Sequence, residues 1–283
     1  MMNTLRNLLN MIKFPHTVFA LPFALMGAVL AGKRIPDPDQ LLWILLAMVS
    51  ARTAAMTLNR IVDRDLDAVN PRTAQREIPK GIVTTGQAAA MLAVSVILFE
   101  WAAFSLNRLC LILSPVALFI ILGYSFTKRF TRYSHLVLGL SLSMAPLGAW
   151  IAVRGSVDLR IIILSLAVLF WVAGFDILYA IQDMDFDRQA GLYSIPRFFG
   201  VRTSLLIARI FHSLTFMILL LISFLLGLGV YYLIGVLTVG GLLFYEHSLV
   251  SEHDLSRLNM AFFNMNGYIS VTIFAFTLLD ILM

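Results

Sequence analysis

The chain contains a single cysteine, Cys110, among 283 residues. Disulfides within the chain and paired-cysteine metal sites are therefore excluded, and Cys110 reads as a buried, inert thiol. Charge is scarce as well: 13% of residues are Asp, Glu, Lys or Arg, against 60% hydrophobic. A water-soluble domain of this length has no use for so much apolar side chain, because its core saturates first. No small-residue cleavage site follows the first apolar run, and eight further runs come after it, so a removable signal segment is not expected.

What the chain does have is long apolar sequence. Segments able to cross about 30 Å of hydrocarbon recur throughout, at 15–33, 40–60, 88–107, 109–127, 134–153, 159–182, 204–226, 229–248 and 261–282. The third and fourth are parted only by a short turn near Asn107–Arg108. The expectation is one all-α integral membrane domain over residues 1–283 with nine transmembrane helices.

The basic residues are sorted by loop. With nine spans, the N-terminus and the even-numbered connections share one side, which holds fourteen Lys and Arg, among them Arg72, Arg76, Lys80, Lys128 and Arg129. The other side holds five: Lys33, Arg34, Arg108, Arg154 and Arg160. The positive-inside rule then puts the N-terminus in the cytoplasm and the C-terminus outside. The net charge of +5 is a topology signal and not a nucleic-acid footprint.

An acidic ladder occurs twice, each time at the end of an apolar run. Asn59, Asp63 and Asp67 form the first; Tyr179, Asp183 and Asp187 form the second, displaced by 120 residues (63 to 183, 67 to 187). Carboxylates four apart on a helix lie on one face and repel. An Asp at mid-bilayer costs about 2.5–3.5 kcal/mol and less near the edge, so something is expected to neutralise these groups. A divalent cation is the simplest candidate, and Mg²⁺ favours a few carboxylates together with substrate phosphates. The two longest connections, 61–87 and 183–203, each follow a ladder and each carry an Ile-Pro, at 78–79 and 195–196. These parallels suggest an internal repeat of about four helices, 1–4 and 5–8, with helix 9 extra, and one chamber between two half-sites.

Arg72 and Arg76 follow the first ladder, and Lys128 follows the fourth span on the same side. Arginine forks onto phosphate oxygens, so acids for the metal beside bases for an anion describe a diphosphate site. Asp65 and Asp185 fall on other helix faces and read as solvated. Deeper in the spans, Arg52 lies seven residues before Asn59 and Asp176 seven before Asp183. Two turns place them about 10 Å further into the membrane on the ladder faces. They either pair with one another or line the chamber floor, Arg52 holding a substrate carboxylate and Asp176 ordering the acceptor or taking a proton. Tyr124 and Tyr179 add hydroxyls or ring faces, or simply pack. His16 reads as a hydrogen-bonded helix-start residue, Glu100 as reaching the outer interface. Glu246-His247 and Glu252-His253-Asp254 read as flanking an exposed loop without metal-ligand spacing.

The segments NRIVDRDLDAVNPRT and YAIQDMDFD resemble the two aspartate motifs of the UbiA family of membrane prenyltransferases. KFPHTVFALPFALMGA and YSFTKRF are similar to segments of its quinone-pathway members. The resemblance covers most of the chain in the expected order. One departure is Arg60, where many members have Asp; the Asn-Arg form resembles a bacterial subgroup making quinone precursors. The resemblance implies a nine-helix bundle around a central chamber with a lateral opening, in a prokaryotic cytoplasmic (inner) membrane, with the active-site loops cytoplasmic. Asp63, Asp67, Asp183 and Asp187, assisted by Asn59, would bind Mg²⁺ and through it a polyprenyl diphosphate. Arg72, Arg76 and Lys128 match positions used against the diphosphate; Arg52, Tyr124, Asp176 and Tyr179 match positions near the acceptor or the reacting carbon. The implied reaction is prenyl transfer to an aromatic ring, 4-hydroxybenzoate or a hydroxynaphthoate, in ubiquinone or menaquinone biosynthesis. Rival readings are a family member with another acceptor such as haem, and a cation-coupled transporter using the carboxylates as ion sites. Three bases beside the acids speak against the transporter. Oligomeric state has no sequence signature here.

Overall fold

The computed structural model describes residues 2–13 and 20–283, and every regular element among them is helical. His16 and the start of the first expected span lie outside the described residues. A short α1 (Met2–Met11) precedes α2 (Leu21–Gly32), α3 (Pro38–Val62), the six-residue α4 (Arg64–Val69), α5 (Thr85–Leu106), α6 (Arg108–Thr127) and α7 (Ser134–Arg154). Then follow α8 (Leu159–Ala180), a tight 3₁₀ turn at Ile181–Asp183, α9 (Met184–Gln189), α10 (Ile195–Leu226) and α11 (Val230–Ser248). A π-helical turn, Met260–Met265, leads into α12 (Asn266–Leu282).

The helix ends are set by local chemistry. Thr84 and Gln87 close a reciprocal capping box on α5, which satisfies two otherwise orphaned N–H groups. Asn107 alone separates α5 from α6; its extended backbone ends one helix, and its side chain accepts from Cys110 N to start the next. Asp158 and Ser194 cap α8 and α10 in the same way. Gly200, at φ +76°, breaks α10 after its first turns, a conformation that glycine adopts without steric cost. The expected seventh span, 204–226, therefore begins beyond a helical turn, Ile195–Phe199, that lies in the expected connection 183–203.

Among the described residues, seven helical stretches are long and apolar enough to cross a membrane: α3, α5, α6, α7, Leu159–Gln189, α10 and α11. The first and last expected spans, α2 and α12, are shorter apolar helices of 12 and 17 residues. At 1.5 Å per residue a 12-residue helix covers about 18 Å, less than the hydrocarbon thickness.

Leu159–Gln189 is the hub, with 67% of its apolar window buried against 17% for α5. It packs on α7 and α10; α2 packs on α7, and α11 on α12. The core there stacks Phe23, Trp171 and Phe175, with ring centroids 4.9 and 5.1 Å apart. Two backbones approach closely enough to need glycine. A Cβ on Gly27 would run into the Pro146 carbonyl, and one on Gly139 into the Leu169 carbonyl, the small-residue packing by which apolar helices associate without a hydrophobic driving force. Outward faces carry large exposed apolar residues such as Phe119, Phe224 and Phe244, as a lipid-facing surface requires.

Candidate active site

Each acidic ladder is bent at its first Asp and is not one straight helix. Asp63 sits at φ −92°, ψ 5° between α3 and α4. Asp183 sits at φ −100°, ψ 3° between the 3₁₀ turn and α9. The four-residue hydrogen-bond step survives the first bend, since Asp63 N donates to Asn59 O and Asp67 N to Asp63 O. Two segments 120 residues apart thus share an unusual backbone conformation at the same motif position. The Ile-Pro pairs do not share one: Ile78-Pro79 lies in a run of turns, whereas Ile195-Pro196 opens α10.

Every ladder carboxylate faces one base. Arg129 Nη2 lies 2.9 Å from Asp63 Oδ1, and Arg76 Nη1 donates to both oxygens of Asp67 at 2.7 Å. Arg72 forks onto Asp183 with Nε–Oδ1 at 2.9 Å and Nη2–Oδ2 at 2.5 Å. Lys128 Nζ lies 2.7 Å from Asp187 Oδ1. Asn59 Nδ2 donates to Asp63 Oδ2 at 2.9 Å, and Arg72 also donates to the Tyr179 hydroxyl at 2.7 Å. Burial, and behind it the charge of Asp67, hold the Asp63 carboxyl above its ordinary range against the pull of Arg129 and Lys128. Burial opposes the charge of Arg72, but its hydrogen bonds to Asp183 and that carboxylate's charge keep the guanidinium above its usual value.

These pairings explain why no three His, Cys, Asp or Glu side chains converge on one ion position among the described residues: the bases stand between the acids. The donor set nevertheless suits a hard cation. Asp187 is fully buried, and Lys128 meets it out of hydrogen-bonding alignment, so neither carboxylate oxygen has a hydrogen-bond donor among the described residues. Buried polar atoms are rarely left so. Mg²⁺ needs only one or two carboxylates when phosphates and waters complete its shell.

Two cavities meet at this cluster. A polar one of about 170 Å³ contains Asp63, Asp67 and Asp183 with their bases. A larger one of about 730 Å³ runs among apolar residues of α3, α5, α6 and α7. Asn59, Arg72, Thr73, Arg76, Tyr124, Asp176 and Tyr179 line both and form the shared wall. Arg52 lines the large cavity and donates to the carbonyls of Ile12 and Lys13 at 3.2 and 3.5 Å. The Arg52–Asp176 pairing weighed above does not form; Asp176 Oδ2 instead meets His135 Nδ1 at 2.7 Å.

Three neighbours were not singled out from the sequence. Arg129 counted only toward topology, although it adjoins Lys128; Asn70, which donates to Asp183 at 3.4 Å, sits inside the first motif; His135 carried no spacing signal. Asp65 and Asp185 are 86% and 79% exposed beside Arg64 and Arg188, in keeping with their solvated reading. Glu246, in the last turn of α11, is buried, whereas Glu252, His253 and Asp254 in the loop that follows are exposed, as expected. Glu100 accepts from Ser114 at 2.6 Å.

A helical membrane protein whose acid–base cluster borders a large, mostly apolar cavity is built to handle a molecule with a charged head and an apolar tail. The chain belongs to the UbiA prenyltransferase family, whose model matches residues 20–268, and it is a prenyltransferase. It is 34% identical over 259 residues to the 4-hydroxybenzoate octaprenyltransferase of Nitrosospira multiformis, covering 91% of this chain and 88% of that one. The enzyme of the same name from Aeromonas salmonicida is 32% identical over 254 residues, 90% and 87% of the two chains. Among solved structures, the apo UbiA homologue from Aeropyrum pernix superposes with a TM-score of 0.86 at 32% identity, over 94% of this chain and 98% of that one. The Archaeoglobus fulgidus homologue bound to GPP and Mg²⁺ shares the fold at TM-score 0.73 and 19% identity, over 98% and 100% of the two chains.

Proposed function

We propose that this protein transfers a polyprenyl group from polyprenyl diphosphate to the ring of an aromatic acid, with 4-hydroxybenzoate as the favoured acceptor and a hydroxynaphthoate as the alternative, in quinone biosynthesis. The observation that carries this reading is the shared wall: a polar, charge-paired cavity and a larger, mostly apolar one are lined in part by the same residues. The names of the relatives support the acceptor, and the bound GPP and Mg²⁺ of the Archaeoglobus homologue support the donor. Family membership removes the transporter reading.

In this reading Asp63, Asp67, Asp183 and Asp187, with Asn59, hold Mg²⁺, which when bound supplies Lewis-acid neutralisation of the diphosphate. Arg72, Arg76 and Lys128 exchange their carboxylates for diphosphate oxygens and stabilise the departing charge. Arg129 has the same freedom. The apolar cavity takes the isoprenoid tail, where each buried CH₂ contributes about 0.8 kcal/mol. Tyr124 and Tyr179 present ring faces to the allylic carbon as it becomes cationic. Arg52 receives the acceptor carboxylate, and Asp176, at the junction of the cavities, accepts the ring proton that restores aromaticity.

The same reading completes the architecture. Nine spans, with α2 and α12 as short members, surround one chamber in a single domain of two four-helix repeats plus α12. The tight α3–α5 and α8–α10 pairings fall at corresponding places in the two halves and support the repeat. The ladders and the N-terminus face the cytoplasm of a prokaryotic inner membrane. The test uses purified protein in lipid with Mg²⁺ and labelled polyprenyl diphosphate, offered 4-hydroxybenzoate and 1,4-dihydroxy-6-naphthoate separately. Label on one ring, lost with EDTA, is the expected result; transfer to neither, by folded protein, overturns the acceptor assignment.

A further inference from the structure

We infer that His135 is a positioning residue for Asp176: it holds one carboxylate oxygen through a fixed tautomer and leaves the other to receive the proton of the acceptor ring. This rests on the role proposed above for Asp176.

The argument starts at the N-terminus of α10. The first N–H groups of a helix have no intrahelical partner. Here Ser194 Oγ takes the N–H of Arg197, and Pro196 has none to offer. The buried N–H of Ile195 is left, and its acceptor is His135 Nε2 at 3.3 Å. A backbone N–H can only donate, so Nε2 presents its lone pair, and in neutral imidazole the ring proton then resides on Nδ1. Nδ1–H points at Asp176 Oδ2, 2.7 Å away. The imidazole is 2% exposed and has no other hydrogen-bond partner among the described residues, so both nitrogens are committed. The start of α10, from outside the polar cavity, thereby dictates which atom of Asp176 is engaged.

Among the described residues the hydrogen bond to Asp176 is made at Oδ2 and none reaches Oδ1, and Asp176 lines both cavities. The ring carbon that bonds to the allylic carbon, as the carbon–oxygen bond to the diphosphate breaks, must then lose its hydrogen. The C–H electron pair returns to the ring, and the proton goes to Oδ1. His135 keeps its own proton throughout and fixes the carboxylate plane. Holding a base in line with the bond it breaks is where general-base catalysis gains its rate.

The test has two arms. The first is the ¹⁵N spectrum of histidine-labelled wild-type protein in lipid, with the His135 signals assigned by their loss in H135N. The expected state is a neutral ring protonated on Nδ1, and D176N should shift the Nδ1 resonance. A ring protonated on Nε2, or an imidazolium, overturns the inference whatever the acceptor proves to be.

The second arm compares H135N, whose amide keeps a donor near Nδ1, with H135Q and H135A, using protonated and ring-deuterated acceptor. Expected are a kcat loss of about 10²-fold for H135A, an unchanged KM for the polyprenyl diphosphate, and partial recovery in H135N but not H135Q. A primary isotope effect absent from wild type should accompany the loss, because ring deprotonation becomes slow. A merely structural histidine would lower kcat without that isotope effect, or raise the diphosphate KM, and either result refutes the inference. If wild type prenylates neither ring, the acceptor reading fails on its own, while the tautomer measurement still decides the His135–Asp176 contact.

Discussion

Removing the Lys128 ammonium should destabilise the metal-free protein much more than the Mg²⁺-loaded one. Asp187 is completely buried and Lys128 is its only charged partner among the described residues, at 2.7 Å. Taking away one member of a buried ion pair costs about 3–5 kcal/mol, because the other charge stays in a medium that cannot solvate it. The Lys128 side chain is 35% exposed, so water already screens part of the pair, and the low end, about 3 kcal/mol, applies. At about 2–4 °C per kcal/mol for a large domain, Lys128→Ala should lower the apparent Tm in EDTA by about 6–12 °C. If Asp187 is a metal ligand, Mg²⁺ replaces the missing charge and most of that loss is recovered. The second mutation of the cycle is Asp187→Asn, which removes the stranded charge. Lys128→Ala/Asp187→Asn should therefore be more stable in EDTA than Lys128→Ala alone, and should gain nothing from Mg²⁺ through this residue. The assay is thermal unfolding in detergent micelles or nanodiscs, followed by intrinsic Trp fluorescence, with EDTA and Mg²⁺ in parallel. An equal destabilisation of Lys128→Ala with and without Mg²⁺ would falsify the assignment of Asp187 to the metal. No destabilisation in either would show that the pair contributes nothing.

Three further outcomes follow from the same geometry. Asp63→Ala and Asp183→Ala should each abolish Mg²⁺-dependent turnover in a protein that still elutes as a folded species; full activity in either would remove that ladder from the site. Arg52→Ala should raise the acceptor KM while leaving the diphosphate KM alone, and an unchanged acceptor KM would limit Arg52 to tying down the end of α1 through the Ile12 and Lys13 carbonyls. Gly139→Val drives a branched side chain into the Leu169 carbonyl, and overpacking of this kind costs about 1–3 kcal/mol or more; a wild-type melting curve would mean that α7 and α8 can part without penalty.

What the sequence discloses is whatever repeats at short range. The ladders are visible because Asp63 and Asp67, and Asp183 and Asp187, recur four residues apart beside long apolar runs. The Asn107 boundary is visible because a polar residue interrupts two such runs. Spans at the edges are less regular: the described part of the first is the 12-residue α2, and the last enters through a π-helical turn, Met260–Met265, before the 17-residue α12. The expected connection 183–203 proves partly helical: Ile195–Phe199 forms the first turn of α10, and the positive φ of Gly200 separates it from the span that follows. Partners distant in sequence are not legible at all. Arg72 reaches Asp183 across 111 residues and His135 reaches Asp176 across 41, and neither spacing has a period that a helix or strand would impose. Arg72 and Arg76 look like neighbours on one helix, yet the segment is a series of turns and the two guanidiniums serve opposite ladders.

The pattern of those pairings bears on why bases stand among the acids. Lys128 and Arg129 are consecutive, but Arg129 goes to Asp63 of the first ladder and Lys128 to Asp187 of the second. Arg72 leaves the loop after the first ladder to hold Asp183 of the second, while Arg76 stays with Asp67. Three of the four bonds therefore carry a base from outside a ladder onto it, and the two half-sites are held together by charge before any substrate arrives. Four carboxylates left unpaired at a membrane boundary would repel one another and desolvate at a cost of kcal/mol each. With the bases in place the cluster is close to neutral. On the proposed reading, substrate binding exchanges partners without changing that balance, since cations arrive for the carboxylates together with a diphosphate for the bases. A site that binds Mg²⁺ and diphosphate jointly, and either one alone only weakly, is the consequence. Titration of polyprenyl diphosphate with and without Mg²⁺ measures it directly, and equal affinity in the two conditions would mean that the bases do not change partners.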